Sequence, residues 1–192
     1  MNNRYTSRGI VRREAILRAT KKLLLEKEIQ QIRVKDIAKS ANIPISSIYN
    51  LFDDLDDIYT NVVSDIWTDL IKFRKDRLRD RYTCFRELSE HSTRINFEFV
   101  MKNELARKTL HSNVIPESIK NADKHYIVET IREFLLQYFP ALTEPEFERN
   151  VELMRKQILI FDALIADILS DTDKLAEEHL DEILELILKI ST

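Results

Sequence analysis

The sequence predicts an all-α protein, a small three-helix head on a larger helical bundle, with about nine helices in total. Three observations carry this reading. The chain has one Gly and four Pro in 192 residues, too few turn formers for the many reversals of a sheet. Apolar residues recur at spacings of three and four along most of its length, the period of an amphipathic helix. Charge is also divided: residues 1–52 hold eleven Lys/Arg against four acids, while the other 140 residues carry a net −10, so the two ends of the chain differ in kind.

The elements follow in order. Ile16, Ala19, Leu23 and Leu24 keep step through a first helix over residues 10–27. Val34, Ile37, Ala38 and Ala41 line a short second one over 34–41. Asn42-Ile43-Pro44 breaks it, because Asn tolerates a left-handed turn and Pro is acceptable only where the next helix starts. A third helix covers 45–51 and is anchored by Ile48 and Phe52. Asp53 or Asp54 caps the fourth, with Asp56 and Asp57 in its first turn. Its stripe is Ile58, Val62, Ile66, Leu70 and Phe73, and residues 72–81 form its charged end. Phe85, Leu88, Ser92, Ile95 and Phe99 mark a fifth helix over 84–103, and a short sixth reaches His111. Pro116 opens a seventh, lined by Ile119, Ile127, Ile131, Phe134 and Tyr138, which Pro140 ends. The eighth carries Phe147, Val151, Met154, Ile158, Phe161, Ile165 and Ile168, and the ninth, over 176–190, carries Ala176, Leu180, Ile183, Ile187 and Ile190.

Composition bounds the function. With 44% apolar and 33% charged residues the chain can bury a real core and is not a disordered segment. A single cysteine, Cys84, excludes an internal disulfide framework and fits a reducing compartment. The four histidines, His91, His111, His125 and His179, are scattered over separate helices without metal spacing. Gly9 stands alone, so there is no glycine loop to cradle a phosphate. No catalytic arrangement stands out, and neither an enzyme nor a cofactor is expected. With no apolar run of membrane length, and a polar, basic segment at 1–13, the expectation is a cytoplasmic protein with no membrane partner.

Two short helices joined by a tight turn, behind a supporting helix and rich in base, are what major-groove binding requires. Glu14-Ala15-Ile16-Leu17-Arg18-Ala19, Val34-Lys35-Asp36-Ile37-Ala38, Ala41-Asn42-Ile43 and Ser47-Ile48-Tyr49-Asn50-Leu51-Phe52 resemble, over residues 10–60, the DNA-binding domain of the TetR family of bacterial transcriptional regulators. The resemblance implies a helix-turn-helix at 33–52 within a DNA-binding domain 1–54, a ligand-binding and dimerising domain 55–192, and double-stranded DNA as partner. Ile45, Ser46, Ser47 and Asn50 then face the groove: Ile45 toward a thymine methyl, Asn50 toward the donor and acceptor pair of adenine. Arg33 and Tyr49 are placed for phosphate, and Lys35 completes the expected DNA-binding set. The basic residues Arg4, Arg8, Arg12 and Arg13 are candidates for further backbone or minor-groove contacts.

The chain departs from the family in places. Glu28 and Asn42 stand where Gly is usual, so Glu28 implies a different helix ending. Ser46 replaces a usual Gly or Pro. Leu55 takes the place of a Lys that commonly contacts phosphate, and the recognition helix has no Arg or Lys. Each missing phosphate contact removes about 0.9 from the log-log salt slope. A second reading is therefore a helical ligand-binding or protein-interaction module with weakened DNA binding.

In the family the body binds a small molecule, and a ligand among helices four to seven would shift helix four and with it the spacing of two heads. The expected pocket residues are Trp67, Phe97, Phe99, Met101, His125, Tyr126, Phe134, Tyr138 and Phe161, for an effector of unknown identity. The last two helices are apolar on more than one face and need a partner. A four-helix bundle about a two-fold axis supplies it, which makes the protein a homodimer through Phe147, Val151, Met154, Ile158, Ile165, Ile168, Leu180, Ile183 and Ile187.

Overall fold

A computed structural model describes residues 6–110, 124–172 and 176–190. These residues form nine α-helices, with no strand among them: α1 (Ser7–Glu26), α2 (Val34–Ala41), α3 (Ile45–Tyr49), α4 (Leu55–Lys75), α5 (Phe85–Lys102), α6 (Glu104–Leu110), α7 (Lys124–Tyr138), α8 (Glu144–Thr172) and α9 (Glu178–Lys189). One 3₁₀ turn, Ile29–Gln31, precedes α2. The expected residues His111, Pro116 and Ile119 lie outside the described part.

Helix ends follow local chemistry. Thr6 caps α1, its Oγ1 accepting from Gly9 N–H at 3.1 Å, which starts that helix three residues before the apolar pattern suggests. Asp54 Oδ1 accepts from Asp57 N–H and Asp57 Oδ2 accepts from Asp53 N–H, so the acids around Leu55 build a reciprocal cap on α4. Glu146 accepts from both N–H and Oγ1 of Thr143 ahead of α8, and these bonds hold its carboxyl below the usual range. After α7, Pro140 has no N–H to continue the ladder.

Contacts divide the chain into two compact units, 1–69 with 104–119, and 70–103 with 120–192. The division does not follow the expected break after residue 54. Lys21 pairs with Asp65 at 2.8 Å and Tyr59 OH donates to Ile29 C=O, so the first turns of α4 belong with the head. In this first unit α1 packs on α2 and α6, and α2 on α3. Ile16, Ile37, Ile48, Phe52, Ile58 and Ile66 are fully buried, each worth about 1.5–3 kcal/mol in area removed from water.

The second unit has its own core of Tyr82, Leu88, Ile131, Leu135, Phe147, Val151 and Met154, with α7 on α8, α8 on α9, and α5 on both α8 and α9. This corrects part of the expected dimer surface. Phe147, Val151, Met154, Ile165, Ile183 and Ile187 are buried within one chain, Ile165, Ile183 and Ile187 at 0% exposure, so they have no area left to offer a second copy. Ile158, Ile168 and Leu180 are half-buried, whereas Leu159 and Leu186 are exposed on the same two helices. Period alone placed the apolar residues on their helices; it did not say which side the chain itself would cover.

One cation in this unit is set apart. The Arg74 guanidinium lies 4.5 Å from the centroid of the Phe134 ring with no ion pair to a described carboxylate. Burial pushes its pKa down to about 10, with Tyr138 and Tyr82 acting in the opposite sense. A cation–π contact returns about 0.5–2 kcal/mol, against several for taking an ion out of water.

Candidate nucleic-acid interface

The turn between α2 and α3 takes the form that Asn42 allows. Its φ and ψ are 55° and 46°, the sole positive φ among the described residues, and its N–H closes on α2 at Lys39 C=O. An amide side chain supports this left-handed geometry where most residues pay for a crowded Cβ. Glu28 stays in extended backbone before the 3₁₀ turn, φ −62°, which is the different ending that its replacement of Gly implies. Pro44 sits one residue before α3, where its missing N–H costs nothing.

Ile48, at 1% exposure, and Phe52, at 0%, bolt α3 to the head, and this orients the rest of the helix outward. Ile45, Ser46, Tyr49 and Asn50 are exposed, and Ser47 is half-buried. Tyr49 is 54% exposed and Ile45 44%. Apolar residues this open, one turn apart on a five-residue helix, present a face made for contact rather than for the core.

Arg33 and Lys35 stand at the start of α2. Asp36 accepts from the Arg33 backbone N–H at 3.0 Å, so the cap uses the main chain and leaves the guanidinium outside. Arg33, Lys35 and Lys39 are exposed and form no ion pair with a described acid. An open groove of about 590 Å³ joins several of these residues: Arg33, Lys35, Ile45 and Tyr49 line it together with Ile29, Ile32, Val34, Leu55 and Tyr59. Of the expected DNA-binding residues, Arg33, Lys35, Ile45 and Tyr49 line this groove together, while Ser46 and Asn50 are exposed on α3 and at its end and Ser47 is half-buried. Burial is the main reason the Tyr59 phenol is pushed up to about 12.

Two features escaped the sequence. Arg13 is engaged within the chain: it donates to Asn61 Oδ1 and Leu51 C=O and covers the Phe52 ring at 4.5 Å, tying α1 to the segment after α3 and to α4. Only the pairing of a basic residue with a buried aromatic far along the chain could have signalled this. Arg4 lies outside the described residues, and Arg8 and Arg12 are in the first turns of α1. The apolar wall at Leu55 also went unseen, being made from four separate elements.

The expected pocket residues fall in both units. Trp67 belongs to the first unit and the others to the second. Phe97, Phe99 and Phe161 are buried core, with Phe99 against Phe73 at 5.4 Å. Phe134 and Tyr138 meet edge to face at 5.1 Å. The side chains of His125 and Tyr126 lie outside the described residues.

No family model matches the sequence, and no curated protein matches it. Solved structures do match over nearly the whole chain. A transcriptional regulator from Rhodococcus sp. Rha1 aligns with a TM-score of 0.67 at 14% identity, over 93% of this chain and 94% of its own. A fatty acid degradation regulator from Bacillus halodurans gives 0.64 at 16% identity, over 92% and 94%. A TetR-family transcriptional regulator from Haemophilus influenzae gives 0.56 at 14% identity, over 96% and 98%. The chain has the fold of the TetR-family transcriptional regulators.

Proposed function

We propose that the protein is a DNA-binding transcriptional regulator that reads a palindromic operator as a homodimer, with α3 in the major groove. The observation that carries this is the α2–turn–α3 unit, whose outer face gathers exposed Ile45, Ser46, Tyr49 and Asn50 beside the unpaired cations Arg33, Lys35 and Lys39. Unpaired surface cations favour phosphate because no protein ion pair must first be broken. Ser46, Ser47 and Asn50 supply hydrogen-bonding groups for base edges, and Ile45 supplies apolar contact. No helix among the described residues is long and apolar enough to cross a membrane.

Dimerisation is assigned to α8 and α9, now through Leu159 and Leu186, with half-buried Ile158, Ile168 and Leu180 beside them. A small-molecule effector held by the second unit would act by linkage, favouring one head spacing over another. The test is selection of bound fragments from genomic DNA by purified protein at low salt. A recovered palindrome, with half-sites about one helical turn or a multiple apart, supports the regulator. A folded dimer that enriches nothing, with and without candidate effectors, supports the ligand- or protein-binding module for which Leu55 and the apolar groove speak.

A further inference from the structure

We propose that the second unit binds a small organic carboxylate with a flat apolar body, its acid group paired with Arg74 and its body packed on Phe134, Tyr138 and Tyr82. The inference rests on the regulator reading in one respect, that the bound acid would be the effector.

The geometry is that of a half-built ion site. The Arg74 guanidinium covers the Phe134 ring at 4.5 Å. Phe134 meets Tyr138 edge to face, and Tyr138 meets Tyr82 likewise at 5.2 Å, so a chain of three rings runs from the one that Arg74 covers. The Tyr82 hydroxyl is already engaged, 2.6 Å from His91 Nδ1 and accepting from Arg79 N–H. The Tyr138 hydroxyl has no hydrogen bond among the described residues. It lies near enough to Arg74 for each to act on the other's ionisation. Burial raises its pKa, so it stays a donor.

A planar fork of N–H donors and a phenolic O–H suit a partner that accepts from both and carries negative charge. A carboxylate does so in two parallel bonds to the guanidinium, with an oxygen left for the phenol. No described carboxylate pairs with Arg74. Asp80, which acts on Tyr138, is exposed and forms no ion pair with Arg74. The nearby Glu87 is taken by Arg79 and Thr83, and Glu98 by Arg77 and Lys102. Arg74, Phe134, Tyr138 and His91 each keep part of their surface exposed, which gives a small molecule access.

The experiment is calorimetric titration of the full chain at neutral pH with benzoate and phenylacetate. Benzamide serves as the uncharged match and decanoate as the aliphatic acid. Benzoate or phenylacetate is expected to bind, and benzamide to bind about tenfold more weakly or worse, the loss of one charge-assisted pair. Arg74→Met should abolish acid binding while raising the melting temperature of the free protein, since it removes a bare cation; a merely structural Arg74 would lower it. Tyr138→Phe, which removes one hydroxyl, should weaken the acid severalfold and leave the fold intact. Equal binding of benzoate and benzamide, unchanged acid binding in Arg74→Met, or no binding of either aromatic acid would overturn the proposal. Binding of decanoate alone would overturn the flat body. DNA binding is read separately: acid binding without any change in operator affinity leaves the site standing and removes the effector role, while operator binding with no acid binding removes the site and leaves the regulator.

Discussion

Two sets of cations in this molecule behave in opposite ways. On the head, Arg33, Lys35 and Lys39 are exposed and unpaired, and in water that costs almost nothing. In the second unit Arg77, Arg79, Arg94, Arg132 and Arg155 each have a carboxylate, and Arg74, which is set against the Phe134 ring, has none among the described residues. The head's cations thus stand open to the long polyanion of the proposed function. In the second unit the proposed partner of Arg74, half-buried against the Phe134 ring, is a small acid. Burial, rather than the number of charges, separates a surface that suits DNA from a site that suits a small acid.

The sharpest way to break the comparison is to separate holding α3 from using it. Phe52→Ala removes a fully buried anchor and the ring under Arg13, and should cost about 3–5 kcal/mol in chemical denaturation. Tyr49→Ala and Asn50→Ala change exposed side chains on the same turn. They should alter stability by less than about 0.5 kcal/mol while lowering operator affinity by about 1–3 kcal/mol for a base-reading contact. Stability loss at Tyr49 comparable with that at Phe52 would show that α3 is packing surface and not a reading face.

The interface gives the next contrast in size. Leu159→Glu and Leu186→Glu, made together, place charge on exposed apolar positions of α8 and α9 and should turn the proposed dimer into a folded monomer by light scattering. An unchanged mass would move the interface elsewhere. Ile165→Glu cannot serve, because Ile165 is at 0% exposure within one chain and a buried unpaired charge would unfold the unit.

Much of the first unit was legible because its signals are local. Asn42 before Ile43-Pro44 announces a left-handed break, and Ile48 with Phe52 announces which side of α3 is buried. Both depend on neighbours within a few positions. The stripe of α4 was legible for the same reason: Ile58, Val62, Ile66 and Leu70 are all buried. Arg13 and Arg74 were not legible, because each is defined by a ring elsewhere in the chain, Phe52 and Phe134, and helical period carries no information about that. Part of the expected dimer surface turned out to be the chain's own core for a related reason. Helices α8 and α9 are apolar nearly all round, so their pattern marks burial without distinguishing the chain's own core from a partner. The groove residues could be named from the resemblance to a family, yet the Leu55 wall beside them arises only when α2, α3, α4 and the 3₁₀ turn meet.

A smaller effect tests the head's charge directly. Arg33→Ala and Lys35→Ala should each weaken binding alike for specific and unrelated DNA, and each should lower the log-log salt slope by about 0.9. With Leu55 in place of a base and no cation on α3, the slope of the unaltered protein should already be shallow. A slope that neither substitution changes would take these residues off the backbone of the DNA.

The smallest expected effect concerns His91. Burial first, and then Arg79, lowers its pKa below the ordinary value, so the folded ring stays neutral beside the Tyr82 hydroxyl while an unfolded one takes a proton near about pH 6.5. Below that point the unfolded chain binds more protons than the folded one, and stability falls as pH falls. The loss begins near the unfolded value and is complete once the folded ring protonates. Carboxylates held low by their partners, such as Glu87, act in the same direction but only in more acid solution. Melting temperature followed from neutral pH to about pH 5 should therefore decline, and His91→Gln, which keeps a polar group near Tyr82 without titrating, should flatten that decline. An equal decline in both proteins would place the acid sensitivity in the carboxylates and show that the Tyr82–His91 contact does not depend on a neutral ring.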